Sequence, residues 1–165
     1  MRTAGRWLAA GVVVGAALVA AVALGAQASR DRGGAVSGGS ARAAAAERAV
    51  AVPLPAGGTF HGIRWELAGA LTHADIDGVL QYNAACQWLR AWRDGRERAR
   101  AVSVLQAVPG WSATRGTESA EVLSRVAAEV RARGGQTATA MLADCDASHA
   151  REVEYAARMG LTPTR

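Results

Sequence analysis

The feature that most constrains the fold is an uncharged run of 22 residues, Trp7 to Ala28, near the amino terminus. It reads WLAAGVVVGAALVAAVALGAQA, and as a helix it is long enough to cross the ~30 Å hydrocarbon core of a bilayer. A helix that is apolar on every side needs either a membrane or a larger core than this chain can build. The sequence therefore predicts a single transmembrane helix, or a signal peptide, over residues 1–28.

The charges on either side of this run predict its orientation. Three positive charges precede it and one net positive charge follows it, from Arg2, Arg6 and the α-amino group before it and from Arg30, Asp31 and Arg32 after it. By the positive-inside rule, the amino terminus lies in the cytoplasm and the rest of the chain lies outside. We therefore expect a single-pass protein of the cell membrane with an extracytoplasmic carboxy-terminal domain.

A cleaved signal peptide is the alternative to a membrane anchor. The small residues of Ala26-Gln27-Ala28 have the form of a cleavage site. The apolar run is longer, however, than the ~7 to 15 residues of a signal-peptide core, which favours the anchor. Cleavage near Ala28 would release a secreted protein, so both interpretations place the domain outside the cytoplasm.

The distribution of charge argues against a nucleic-acid partner. Of the net charge of +5, residues 1–28 carry +2, residues 29–70 carry +2, and residues 71–165 carry only +1. A nucleic-acid binder concentrates positive charge on its folded surface. Here the part expected to fold is nearly neutral.

Two segments without a long amphipathic pattern follow the apolar run. Residues 29–50 consist mainly of Gly, Ser, Ala and Arg. They lack the large apolar side chains that offset the entropy of ordering, so we predict a flexible tether. In residues 51–70, Pro53 and Pro55 disfavour a helix or a central strand. We predict that this segment is an extended arm that lies over the domain.

Residues 71–160 are expected to form the folded domain, followed by a tail over residues 161–165. Apolar residues recur at helical spacing over residues 73–93, 96–108, 117–133 and 137–159. Thr72 is placed to cap the first of these helices, and glycines follow the ends of all four. Short loops between amphipathic helices favour antiparallel neighbours. The predicted fold is all-α, with a small bundle of about four helices.

The two cysteines, Cys86 and Cys145, each lie on the apolar stripe of a long predicted helix. In an oxidising compartment this arrangement favours a disulfide. It would close a loop of roughly 60 residues and stabilise the domain by about 4 kcal/mol in the chain-entropy model. Two free buried thiols are one alternative. A metal site with His149, one turn after Cys145, is the other, although thiolates in such a compartment are usually oxidised.

No catalytic motif accompanies these cysteines. The chain has no Gly-rich phosphate loop, no GxSxG, no HExxH and no CxxC. In the stretch HADID, Asp75 and Asp77 diverge by about 200° on a helix, which disfavours a shared metal ion. No cofactor is expected, and an enzymatic role is disfavoured.

The aromatic residues suggest a function in binding. Tryptophan and arginine are enriched at protein interfaces, and five such residues are candidates: Trp65, Trp88, Trp92, Arg90 and Arg93. Packing of the tryptophans in the core is the alternative. The expected function is a protein-interaction or structural module of the bacterial envelope. A secreted or envelope protein that binds a metal or ligand, or an enzyme that uses Cys86, Cys145 and His149, is the second hypothesis.

Overall fold

The structure is a computed structural model that describes residues 34–36 and 38–162. Within this part of the chain there are five α-helices and no strands. They are α1 (Gly38–Ala49), α2 (His73–Arg93), α3 (Arg98–Ala107), α4 (Glu118–Arg131) and α5 (Gln136–Arg158). Two short 3₁₀ helices cover Trp65–Leu67 and Val108–Gly110. The prediction of an all-α fold is confirmed for the described residues.

The predicted transmembrane run, Trp7 to Ala28, lies outside the described residues. Among those that the structure does describe, no helix combines the length and the apolarity needed to cross a bilayer.

Helix α2 begins and ends where the sequence predicts. The Thr72 Oγ1 accepts a hydrogen bond from the backbone N–H of Asp75, and the Asp75 carboxylate accepts one from the backbone N–H of Thr72. This capping box satisfies N–H groups that have no partner inside the helix. After Arg93 the chain turns at Gly95, whose φ of 73° is in the left-handed region that favours glycine.

The four helices α2 to α5 form the bundle. Each of them packs against two of the others, so that α2 contacts α3 and α5, and α4 contacts the same two helices. Their shared core holds large buried side chains and both cysteines, among them Trp88, Leu89, Leu105, Val126, Val130, Met141, Cys86 and Cys145. A helical bundle agrees with the sequence prediction.

The start of α5 is held by a side chain of α4. The Glu129 carboxylate accepts a hydrogen bond of 2.7 Å from the backbone N–H of Ala138. That bond is the main cause that lowers the pKa of Glu129. Gly135 makes room for it, because a Cβ there would lie 2.2 Å from the Glu129 Cδ. This contact helps to position α5, which carries Cys145 of the disulfide.

Helix α1 corrects the sequence prediction of a flexible tether over residues 29–50, because it lies within that segment. It packs on α2 and on the 3₁₀ helix Trp65–Leu67, with Ala41 and Ala45 buried. Alanine has the highest helix propensity and lets two backbones approach closely. The tether was predicted because this segment lacks large apolar side chains. In the structure the helix instead packs its alanines on an apolar surface formed by α2 and Trp65.

The segment from 51 to 70 has an irregular path across α2 and α5. The Trp88 indole N–H donates to the Pro53 carbonyl at 2.8 Å, and the Gln87 amide donates to the Thr59 carbonyl at 2.7 Å. Over α5 the approach is close enough to require glycine, because a Cβ at Gly62 would lie 2.5 Å from the Glu152 Cβ. We refer to residues 51–70 as the arm.

Candidate functional site

The two cysteines are joined in a disulfide, which the sequence favoured. Cys86 of α2 and Cys145 of α5 are bonded, with their Cα atoms 5.3 Å apart. Both residues are buried in the bundle core. The disulfide therefore ties α2 to α5 in the middle of the domain.

The alternative metal site of Cys86, Cys145 and His149 is not assembled. Sulfur atoms in a disulfide are not thiolate ligands. Within the described residues there is also no group of three His, Cys, Asp or Glu side chains that could hold a metal ion. His149 is half-buried, and its Nδ1 has no hydrogen-bond partner among the described residues. Burial, together with the charge of Arg90, lowers the pKa of His149.

The residues proposed for a protein interface are mostly buried. Only 3% of Trp65, 0% of Trp88, 7% of Trp92 and 4% of Arg90 is exposed. Arg93 alone is at the surface, where it pairs with Asp94 and Asp146. The tryptophans pack in the core, which is the alternative that the sequence left open.

Helix α3 explains why Trp88 and Trp92 are covered. The guanidinium of Arg100 lies 5.3 Å from the centre of the Trp88 ring, and that of Arg98 lies 5.8 Å from the centre of the Trp92 ring. These are cation–π distances. The aliphatic parts of the arginines can cover apolar surface while their charged ends reach water. The helical pattern of α2 alone does not show that α3 and the arm pack against the face of α2 that carries Trp88 and Trp92.

A pocket of about 330 Å³ lies where the arm crosses α2 and α5. Two glycines, Gly62 of the arm and Gly78 of α2, contribute no side chain to its walls. The residues that line it are Gly62, Ile63 and Arg64 of the arm, Gly78, Val79, Tyr82 and Asn83 of α2, and Ser148, Arg151 and Glu152 of α5. The disulfide joins the two helices that form its walls.

A chain of hydrogen bonds runs from the arm to the Glu152 carboxylate. The Gln87 amide donates to the Thr59 carbonyl and to the Asn83 Oδ1, each at 2.7 Å. Because its oxygen accepts this bond, the Asn83 amide directs its N–H toward Glu152 Oε1, also at 2.7 Å. The Ser148 hydroxyl reaches the same oxygen at 3.4 Å. The network orients one oxygen of Glu152 with neutral donors.

Glu152 has no ion-pair partner within the described part of the chain. Burial raises the pKa of its carboxyl, while the hydrogen bond from Asn83 and the charge of Arg90 act in the opposite direction. Burial also raises the pKa of Tyr82, which lines the same pocket. Groups with perturbed pKa values in a concave pocket are characteristic of binding and catalytic sites.

The sequence did not predict four of the pocket residues as site residues: Glu152, Asn83, Arg64 and Arg151. One signal was available, because Asn83 and Gln87 are four residues apart beside the cysteine of α2, as are Ser148 and Glu152 beside the cysteine of α5. Polar pairs on an inward face of two linked helices indicate a buried network.

No protein-family model, curated protein or solved structure matches this chain.

Proposed function

We propose that the chain is a membrane-anchored extracytoplasmic module that binds a partner or ligand. Residues 7–28 anchor it and the helical domain lies outside the cytoplasm. The observation that carries this proposal is the disulfide between Cys86 and Cys145. Cytoplasmic thiols are kept reduced, whereas disulfides form and persist in secreted and envelope proteins.

The charges around the apolar run support the same compartment. Arg2, Arg6 and the α-amino group favour a cytoplasmic amino terminus. Cleavage near Ala28 would leave the same domain outside the cytoplasm as a secreted protein.

Binding at the pocket is better supported than docking of a protein on the tryptophans. Trp65, Trp88 and Trp92 are buried and cannot be contacted from solvent without a rearrangement. The pocket is open to a ligand, and its two helical walls are joined by the disulfide. When a ligand binds to a preorganised pocket, the protein loses little conformational entropy, which favours binding.

The test is the location of the carboxy terminus in intact cells. We would fuse alkaline phosphatase, which is active only where its own disulfides form, or a cytoplasmic fluorescent protein after Arg165. The phosphatase fusion should be active at the membrane. In the matched control, a variant without residues 7–28 should show little phosphatase activity. An inactive phosphatase fusion of the full chain, with a bright fluorescent fusion, would contradict the proposal.

A further inference from the structure

We infer that the pocket between the arm, α2 and α5 binds a small zwitterion, in which an ammonium and a carboxylate are carried on one apolar body. A free α-amino acid with an apolar side chain is the simplest member of this class. The inference deepens the proposed function and rests on it, because it names the ligand class of the same site. Four properties of the pocket lead to it.

The first property is size. The volume of about 330 Å³ is at the lower end of the ~300 to 1,000 Å³ range typical of small-molecule pockets. A compact metabolite fits such a space, whereas a folded protein surface or an extended polymer does not.

The second property is an acid without a counter-ion. The Glu152 carboxylate is held by the side chains of Asn83 and Ser148, and no cation of the described chain lies within ion-pair distance of it. Neutral donors orient the carboxylate, while Arg90 and Arg151 act on its charge through space without forming an ion pair with it. A ligand ammonium would supply the direct ion pair, and a charge-assisted hydrogen bond to it is stronger than a neutral one.

The third property is a pair of arginines, whose charge is opposite to that of Glu152. Arg64 of the arm and Arg151 of α5 both line the pocket and are exposed. Within the described residues neither forms an ion pair, whereas Arg42, Arg48 and Arg93 each pair with an acid. A guanidinium binds a carboxylate through a planar pair of N–H donors.

The three charged side chains favour a ligand that carries both charges. A plain anion would pair only with Arg64 and Arg151, and a plain cation would pair only with Glu152. A zwitterion satisfies both sides at once.

The fourth property is the apolar wall. Ile63, Val79 and the ring of Tyr82 line the remaining surface, and Gly62 and Gly78 keep it open. An aliphatic or aromatic side chain can bury its surface there. We therefore expect apolar amino acids to bind more tightly than polar ones of similar size.

The experiment is calorimetric titration of the full chain in lipid nanodiscs. The probes are L-leucine and L-phenylalanine, together with two analogues that each lack one charge. L-phenylalaninamide has no carboxylate and N-acetyl-L-phenylalanine has no ammonium. We expect at least one of the two amino acids to bind and each analogue to bind about tenfold more weakly or worse than L-phenylalanine. Absence of heat with both amino acids at millimolar concentration would overturn the inference, as would an analogue that binds as well as its parent.

Matched variants assign the two charges. Glu152→Gln keeps an oxygen for the Asn83 amide and removes the negative charge, so binding of the amino acids and the residual binding of L-phenylalaninamide should each weaken about tenfold. The double change of Arg64→Gln and Arg151→Gln should weaken binding of the amino acids but not that of L-phenylalaninamide. Glu154→Gln is the control, because Glu154 pairs with Arg158 outside the pocket. Equal effects of Glu152→Gln and Glu154→Gln would contradict the site.

Failure of this inference is distinguishable from failure of the proposed function. If the carboxy terminus is extracytoplasmic but no amino acid binds, only the ligand class is overturned. If the phosphatase fusion is inactive, the proposed location is overturned whatever the titration shows.

Discussion

The molecule has two hydrophobic clusters that are built in opposite ways. The bundle cluster of α2 to α5 contains large side chains such as Trp88, Leu89 and Met141 and is crossed by a disulfide. The second cluster joins α1 and the arm to the other end of α2, and α1 contributes only alanines to its buried part. We refer to α1 and the contacts of this second cluster as the α1 layer.

The two clusters are also fastened differently. The bundle is closed by a covalent bond, whereas two ion pairs join the α1 layer to its neighbours, Arg42 with the exposed Glu66 and Arg48 with the partly buried Asp77. Exposed ion pairs contribute only about 0 to 1 kcal/mol each. We therefore predict that the α1 layer opens locally while the bundle stays folded. Four changes, given from the largest expected effect to the smallest, test this difference.

Trp88→Ala should have the largest effect. The side chain is fully buried, and its indole N–H donates to the Pro53 carbonyl. The change should lower the free energy of unfolding by about 3 to 5 kcal/mol, near the upper value because the carbonyl also loses its donor. Chemical denaturation of the full chain measures it. Trp111→Ala, at a half-buried position, is the control and should cost clearly less. Unchanged stability in Trp88→Ala would mean that Trp88 is not a core residue.

Removing the disulfide should come next. Cys86→Ser combined with Cys145→Ser should destabilise the bundle by about 4 kcal/mol in the chain-entropy model. Denaturation with and without a reductant measures this loss. The reductant should destabilise the wild-type chain and leave the double variant unchanged. If the reductant shifted neither protein, the disulfide would not stabilise the fold.

Ala41→Leu should affect the α1 layer and spare the bundle. Ala41 is fully buried against α2, and a larger side chain there forces α1 away at a cost of about 1 to 3 kcal/mol. Hydrogen exchange should speed up over residues 38–49 and stay slow in the middle of α2. The control is Ala43→Leu, on the exposed side of α1. A uniform increase of exchange through all helices would show that the two clusters unfold as one unit.

The smallest effect is a pH dependence with opposite signs in the two regions. The hydrogen bond from Arg42 lowers the pKa of Glu66, so Glu66 stabilises the α1 layer above its unfolded pKa of about 4.3, and this stability is lost as the pH falls through the lower folded value. Burial raises the pKa of Glu152, so ionisation of Glu152 costs stability as the pH rises above about 4.3 through the higher folded value.

Two neutral variants measure these signs. Relative to wild type, Glu152→Gln should gain stability as the pH rises from about 4 to 7, whereas Glu66→Gln should lose stability as the pH rises from about 2 to 5. Denaturation midpoints from about pH 2 to 7 give both trends. If the two variants followed the same trend, the contrast between the regions would be wrong.

The bundle was predictable because its helices carry large apolar residues at three-and-four spacing, as in α2 with its Thr72 cap. The disulfide was predictable because both cysteines lie on such stripes. Helix α1 was not, since alanine has no strong pattern and its burial depends on a surface formed by distant residues. The pocket could not be predicted for the same reason. Its third wall is the arm, and the path of this irregular segment is set by contacts with distant residues, such as that of Gly62 with Glu152, rather than by a local sequence pattern.

The most direct test of the central claim is the oxidation state of Cys86 and Cys145 in the protein recovered from its own cells. The cells would be lysed in denaturant with an alkylating reagent, and the intact mass determined with and without prior reduction. We expect no alkyl adduct without reduction and two adducts after it, as an extracytoplasmic disulfide between α2 and α5 requires. Two adducts without reduction would show free thiols and contradict both the disulfide and the compartment inferred from it.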